Sequence, residues 1–366
     1  GDRGKRGWGR GKINFPPSPT NPNEERQEMM MGKMVNWGVL GCAGIARIRM
    51  IPGLLQADNA RLYAVASRRS AKAEEFQRLF GAEKAYDGYE KLLEDDQVEA
   101  VYIPLPNSMH FEWVEKAARA GKHILCEKPI AMNEEEAKRM FEICRENGVL
   151  LMEAFAYRHS PLVNKVKELI EEGAVGKVKY MESHLTDVLT DMSNIRMDRN
   201  LGGGAFYDMA CYNVSVISYL LGKEPECVKA FAEMDERYGV DVSNTFLLKY
   251  DDGTQAAGYS SLNSYARGYY AVVGEKGRIE VPCNFNCRNV SKFTVSTGAY
   301  VDNVEVLDEV KTEYTVMCPD NYMLEAEQFG RCILDGEKPL VSMEETVQNA
   351  RILDRAFEDA ACRAKR

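Results

Sequence analysis

Between Val35 and Gly148 short apolar runs alternate with helix-patterned ones, and this alternation narrows the fold more than any other feature of the chain. The run Trp37-Gly38-Val39-Leu40 is brief and apolar, as a strand covered on both faces must be. RLYAVAS (61–67), VEAVYIPLP (98–106) and KHILCEKP (122–129) repeat that character. SAKAEEFQRLFG (70–81), MHFEWVEKAARAG (109–121) and NEEEAKRMFEICRENG (133–148) carry helical spacing and end on glycine. Such a βαβα series predicts an α/β fold with a doubly wound parallel sheet, whose ligands sit at the carboxyl ends of the strands. Those ends are Gly41–Gly44, Ser67–Arg69, Pro104–Asn107 and Glu127–Pro129.

The first strand runs into Gly41, Cys42, Ala43, Gly44, Ile45 and Ala46, a turn of mostly small residues that opens a helix. Small residues let backbone N–H groups approach a pyrophosphate at a helix start. The spacing is G-x-x-G-x-x-G over Gly38, Gly41 and Gly44, with Ala43 where the Rossmann fingerprint has its second glycine. At the end of the second strand, where NAD sites usually carry an acid, stand Ser67, Arg68 and Arg69. A carboxylate there would repel a 2′-phosphate, whereas a hydroxyl and guanidinium groups hold one. The expectation is therefore NADP(H) in preference to NAD(H). Cys42 reads as a small residue of the turn without a redox role.

Charge and composition exclude other classes. The 366 residues carry a net charge of -9 and a pI near 5.3, which argues against nucleic acid as a partner, and no apolar run is long enough to span a membrane. Residues 1–34 (seven Lys/Arg, four Asp/Glu) are rich in Gly, Pro and Asn without periodicity. They read as a disordered or non-native extension, without the apolar core of a secretory signal. Ten scattered cysteines fit a reducing, cytoplasmic setting. Cys283 and Cys287 lack a second ligand pair, so no metal site is expected.

Six motifs, in order, carry a resemblance over 35–366: GVLGCAGIA (38–46), VASR (65–68), PLPNSMH (104–110), CEKP (126–129), MEAFAYR (152–158) and GGGAFYDMACY (202–212). Together they resemble the Gfo/Idh/MocA oxidoreductases, and the tyrosine closing the last motif is similar to the dihydrodiol and xylose dehydrogenase branch. The resemblance implies an N-terminal Rossmann domain (35–155) and a C-terminal α+β domain (156–366) for substrate binding and oligomerisation. The latter's strands, from KVKYMESHLTDV to SKFTVSTG with a hairpin turn at Asp251-Asp252-Gly253, would form a large, mostly antiparallel, open-faced sheet. Homodimers or homotetramers would form through that sheet.

The resemblance also implies residue roles. Lys128, in E-K-P with a cis Lys128–Pro129 bond, would exchange the proton of a reacting hydroxyl, its pKa lowered by burial and neighbours. Tyr212 would do acid–base or hydroxyl-orienting work on the substrate, and Asp208, four residues earlier on the same helix face, would hydrogen-bond the substrate hydroxyl or position the Lys128 pair. Pro104, Leu105, Asn107, His110 and Glu127 would line the cofactor cleft, and Tyr157 and Arg158 would reach the substrate. Ala156, where dihydrodiol enzymes tend to carry a large aromatic, leaves room for a sugar. The reading is an NADP(H)-dependent oxidoreductase acting on a secondary alcohol or ketone of a sugar, cyclic polyol or trans-diol. The alternatives are a non-catalytic dinucleotide-sensing regulator or a redox-assisted glycosidase of the same fold.

Overall fold

The computed structural model describes residues 33–282, 285–299 and 307–364. The extension read over 1–34 therefore lies, up to residue 32, outside the described residues, and so does Cys283.

The alternating segments fold as strands β1 (Val35–Leu40), β2 (Ala60–Ser67), β3 (Lys84–Asp87), β4 (Ala100–Ile103), β5 (His123–Glu127) and β6 (Leu151–Ala154). They form one sheet in the order β3-β2-β1-β4-β5-β6, with every neighbouring pair parallel. The winding reverses between β1 and β4, which opens a crevice at their carboxyl ends. β1 is wholly buried apart from Asn36, so its apolar run has the double-sided cover that its composition demanded. The helices read at 70–81, 109–121 and 133–148 appear as Ser70–Phe80, His110–Arg119 and Glu134–Glu146. Asn133 caps the last of these, its Oδ1 accepting the Glu136 N–H at 2.8 Å while Glu136 accepts from Met132. β3 and the short helix Tyr89–Leu93 add to the predicted set. With four and five residues, they are too brief for periodicity to reveal.

The second sheet contains β7 (Val178–Val188), β8 (Cys227–Asp235), β9 (Val240–Lys249), β10 (Gln255–Ser261), β11 (Asn263–Gly274), β12 (Gly277–Val281), β13 (Asn289–Ala299) and β14 (Leu307–Cys318). Its order is β14-β13-β12-β11-β7-β10-β9-β8, antiparallel throughout except for the central β7–β10 pair. Asp251–Gly253 makes the expected turn between β9 and β10, with Gly253 at φ 85°. Helix Cys211–Leu221 packs on β7 and β10, and Met343–Ala364 packs on β8. Phe231, Leu247 and Val273 project from the other face. Helix Asn321–Asp335 returns to the first sheet, where Phe329 meets Trp37 at 5.8 Å between ring centroids. Asp320 caps that helix and Gly336 ends it in the left-handed conformation.

Candidate active site

The crevice at the switch point is a cleft of about 860 Å³. Ala43, Gly44 and Ile45 line it from the first turn, Pro104, Leu105 and Asn107 from the end of β4, and Glu127 and Lys128 from the end of β5. Gly41 has φ 120°, and a Cβ there would stand 2.9 Å from the Leu105 side chain, so the turn can close only on glycine. No atom lies within 4 Å of a Cβ placed on Gly44, leaving the open cradle that a phosphate group requires. Ala46 faces the core, and Cys42 is buried with its thiol pushed up to about 11 by desolvation. That leaves it a packing residue. Gly41 N–H donates to Ala66 O at 3.0 Å, which sets the turn beside the end of β2. Ser67 is buried there and accepts the Arg69 N–H, while Arg68 and Arg69 are exposed. Neither arginine has an ion-pair partner among the described residues. The backbone cradle and the two exposed guanidinium groups, that of Arg68 hydrogen-bonded to the Tyr89 side chain, fit a dinucleotide carrying a 2′-phosphate.

Three charged side chains converge at the cleft floor. The Lys128–Pro129 peptide is cis, as expected. Lys128 Nζ donates to Asp208 O at 2.8 Å and to Asp208 Oδ1 at 3.2 Å, and lies 4.6 Å from the centroid of the Tyr212 ring. An ammonium over a tyrosine face at that distance is an attractive cation–π contact. Arg196 Nε donates to the other carboxylate oxygen, Asp208 Oδ2, at 2.6 Å. Asp208 is thus shared between two cations, which outweigh the effect of its burial and hold its carboxyl down at about 2. Behind Lys128, Glu127 accepts a hydrogen bond from the buried Tyr102 hydroxyl, and burial raises its carboxyl above the usual range.

The glycine run before Asp208 is dictated by contacts. A Cβ on Gly203 would stand 2.5 Å from Arg196 O, and one on Gly204 2.3 Å from Asp241 Oδ1. Gly204 also has φ 110°. Asp241, buried on β9, accepts the Phe206 N–H at 3.0 Å and so fixes the start of the helical segment that bears Asp208 and Tyr212. Asn107 Nδ2 donates to Gly202 O at 2.8 Å, tying the β4 end to the same run.

Four expectations need correction. Burial does favour the neutral amine of Lys128, but its neighbours, the Asp208 carboxylate foremost, more than offset it, so its pKa lies above the usual lysine value rather than below it. His110 does not line the cofactor side. It is fully buried, with Nε2 2.8 Å from Leu105 O and Nδ1 3.0 Å from Pro129 O, and it staples the ends of β4 and β5 together. Tyr157 stands behind the site: its hydroxyl pairs with Ser215 at 2.7 Å and its ring packs against Phe285 and Phe155. Arg158 is buried over the Tyr219 ring and pairs with Glu345 at 2.7 Å. Conversely, Arg196 carries no spacing or motif that marks it in the sequence, because its role arises only when a loop folds back on Asp208. Among the described residues, no group of three or more His, Cys, Asp or Glu is placed to hold a metal.

Comparison with known proteins agrees with this geometry. Residues 35–155 match the model of an oxidoreductase family with an NAD-binding Rossmann fold, and residues 163–280 match the GFO/IDH/MocA C-terminal domain. The chain belongs to the Gfo/Idh/MocA oxidoreductase family. Among its relatives is a D-xylose 1-dehydrogenase (NADP(+)) of Haloferax volcanii, 38% identical over 88% of this chain and 97% of that protein. Another is a trans-1,2-dihydrobenzene-1,2-diol dehydrogenase of Xenopus laevis, 29% identical over 88% of this chain and 97% of that one. A solved 3-ketoreductase from Actinomadura kijaniata, in complex with NADP and TDP-benzene, superposes with a TM-score of 0.83 at 30% identity, covering 89% of this chain and 98% of that one. Membership in the Gfo/Idh/MocA family makes the chain an oxidoreductase.

Proposed function

We propose that this chain interconverts a secondary alcohol and a ketone on a sugar, cyclic polyol or trans-diol, using NADP(H), and that Lys128, Tyr212 and Asp208 form its proton-handling set. The observation that carries this reading is the convergence of the Lys128 ammonium, the Asp208 carboxylate and the Tyr212 ring at the cleft floor. The family relatives that act on xylose and on a diol support the substrate class.

NADP(H) supplies or accepts the hydride when bound. Gly41–Ile45 would cradle its pyrophosphate, Arg68 and Arg69 its 2′-phosphate, and Pro104, Leu105, Asn107 and Glu127 its nicotinamide side. Lys128 is protonated at neutral pH, because the charge of Asp208 outweighs the cost of burial. Tyr212 likewise stays a phenol, with burial and the neighbouring Glu127 carboxyl opposing ionisation. The resting site is therefore loaded for reduction, with a proton ready for the carbonyl oxygen as it gains charge. In the oxidative direction the Lys128 amine must first lose that proton, and only then can it take one from the substrate hydroxyl. The Tyr212 hydroxyl, which has no hydrogen-bond partner among the described residues, orients the same oxygen. Asp208 holds the ammonium in place through its backbone carbonyl and its Oδ1.

We assign 35–155 to the dinucleotide and 156–366 to the substrate and to assembly. The open sheet face, with Phe231, Leu247 and Val273, is the surface for a homodimer or homotetramer. The free thiols of Cys126, Cys144, Cys211 and Cys332 fit a cytoplasmic setting. The test is a panel of pentoses, hexoses, cyclic polyols and trans-diols followed by NADPH absorbance with both cofactors. Turnover with NADP(H) on one class supports the reading. Absence of both cofactor binding and turnover across the panel overturns it.

A further inference from the structure

Arg196 is the least expected member of the site, and its placement is over-determined. It sits in a short turn, Ile195–Met197, that Asn194 caps by accepting the Arg196 N–H at 3.1 Å. Its carbonyl accepts the Gly204 N–H at 2.8 Å, which joins it to the glycine run. Its Nε then meets Asp208 Oδ2 at 2.6 Å, while its side chain remains 42% exposed at the cleft. Backbone and side chain alike are fixed toward one carboxylate oxygen, and Lys128 holds the other.

We infer that Arg196 is a positioning residue that sets the proton affinity of Lys128 by sharing the Asp208 carboxylate with it. The inference rests on the proposed oxidoreductase reading and specifies how its proton site is tuned. One carboxylate cannot fully neutralise two cations. The Arg196 charge weakens the hold of Asp208 on the Lys128 proton, and its Nε prevents the carboxylate from turning both oxygens toward the amine. Without Arg196, Lys128 keeps its proton to higher pH, so alcohol oxidation becomes harder. The other groups around Lys128 leave this balance in place. Glu127 from β5 and Glu153 from β6 are buried carboxyls whose own affinities are raised. Cys211, Tyr212 and Tyr322 stay neutral through burial, as does His110. Around Arg196 itself, Asp187 and Tyr212 complete the set, and Asp187 directs its Oδ1 to the Val188 N–H.

The test compares the full-length wild type with Arg196→Gln and Arg196→Lys, with NADP(H) binding by fluorescence as the control for an intact fold. The readout is the pH at which kcat/KM for alcohol oxidation rises. A second readout is the titration of the Lys128 ¹³Cε resonance, assigned by its loss in Lys128→Met. Removing one unit charge a few ångström away at a half-exposed site should raise both midpoints by roughly one pH unit in Arg196→Gln. Arg196→Lys, which keeps the charge, should bring them back most of the way. A purely structural role would lower kcat at every pH and leave both midpoints in place, and that result would overturn the inference. If the wild type oxidises no alcohol, the functional reading fails, and the resonance titration alone decides the coupling between Arg196 and Lys128.

Discussion

Asp208→Asn removes one charge and little volume, so its consequences follow from the ion pairs alone. In the folded protein the Asp208 carboxyl is held at about 2, against an ordinary value of 3.8. At about 1.4 kcal/mol per pH unit, the folded site favours the ionised carboxylate by about 2–3 kcal/mol. A carboxyl with a lowered folded-state pKa contributes stability above its ordinary value and loses it as pH falls through the folded one. Asp208→Asn should therefore destabilise the protein by about 2–3 kcal/mol at neutral pH, and the difference should shrink from about pH 4 downward and close below about pH 2. The substitution also strands the Lys128 ammonium and one edge of Arg196 in a site where side-chain exposure is only 11% for Lys128. With its main counter-charge gone and burial unchanged, Lys128 should lose its proton more readily. Carbonyl reduction at neutral pH should then fall by about 10²-fold or more, with the loss growing as pH rises. Urea unfolding at neutral and acidic pH, together with reduction rates across pH, checks both parts. A variant as stable as the wild type, with an unshifted pH–rate profile, would refute the reasoning.

Other perturbations follow from the same geometry. Lys128→Met should bind NADP(H) normally, by fluorescence titration, while turnover falls about 10²- to 10⁴-fold. Arg68→Ala combined with Arg69→Ala should weaken NADP(H) about 10- to 100-fold and leave NAD(H) nearly unchanged in calorimetry, because the 2′-phosphate alone loses charge-assisted bonds. Gly204→Ala puts a Cβ against Asp241 at φ 110°, so it should cost about 1–3 kcal/mol in urea unfolding and reduce activity with it. Burial pushes the Glu153 carboxyl up to about 7 from 4.5. Its contribution to stability is thus present at acid pH and lost as pH rises through about 7. Buried histidines act in the opposite sense, so the difference between Glu153→Gln and wild type is the quantity to follow. By thermal unfolding, the variant should gain relative to wild type on going from about pH 5 to about pH 8.

The parts of this account that could be read from the sequence are those that local chemistry encodes. A double-sided apolar strand, a small-residue turn, and a glycine run before Asp208 and Tyr212 each leave a residue-level trace, and all lie where they were expected. Lys128 could be found because the E-K-P triplet that carries the family resemblance closes β5 beside the cleft. What stayed hidden depends on segments distant in sequence. Arg196 pairs with a carboxylate twelve positions away through a loop with no periodicity. β14 mixes charged and polar residues with Val310, Tyr314, Val316 and Met317 in no regular alternation, so its pattern resembles that of a loop. Tyr157, Arg158 and His110 misled for the converse reason. Polar residues near a cleft suggest ligands, but Ser215, Glu345 and two loop carbonyls satisfy these three inside the core. The proton affinity of Lys128 could not be signed without knowing that its buried position faces Asp208 at 3.2 Å.

The most direct test of the central claim is deuteride transfer from NADPH carrying deuterium at both C4 positions to a keto sugar or related ketone, followed by mass analysis of the product. The account predicts one deuterium at the new carbinol carbon with wild-type protein, and transfer slowed at least 100-fold in Lys128→Met with cofactor binding intact. Product without deuterium, or a Lys128→Met variant that transfers it at the wild-type rate, would contradict the assignment of this site.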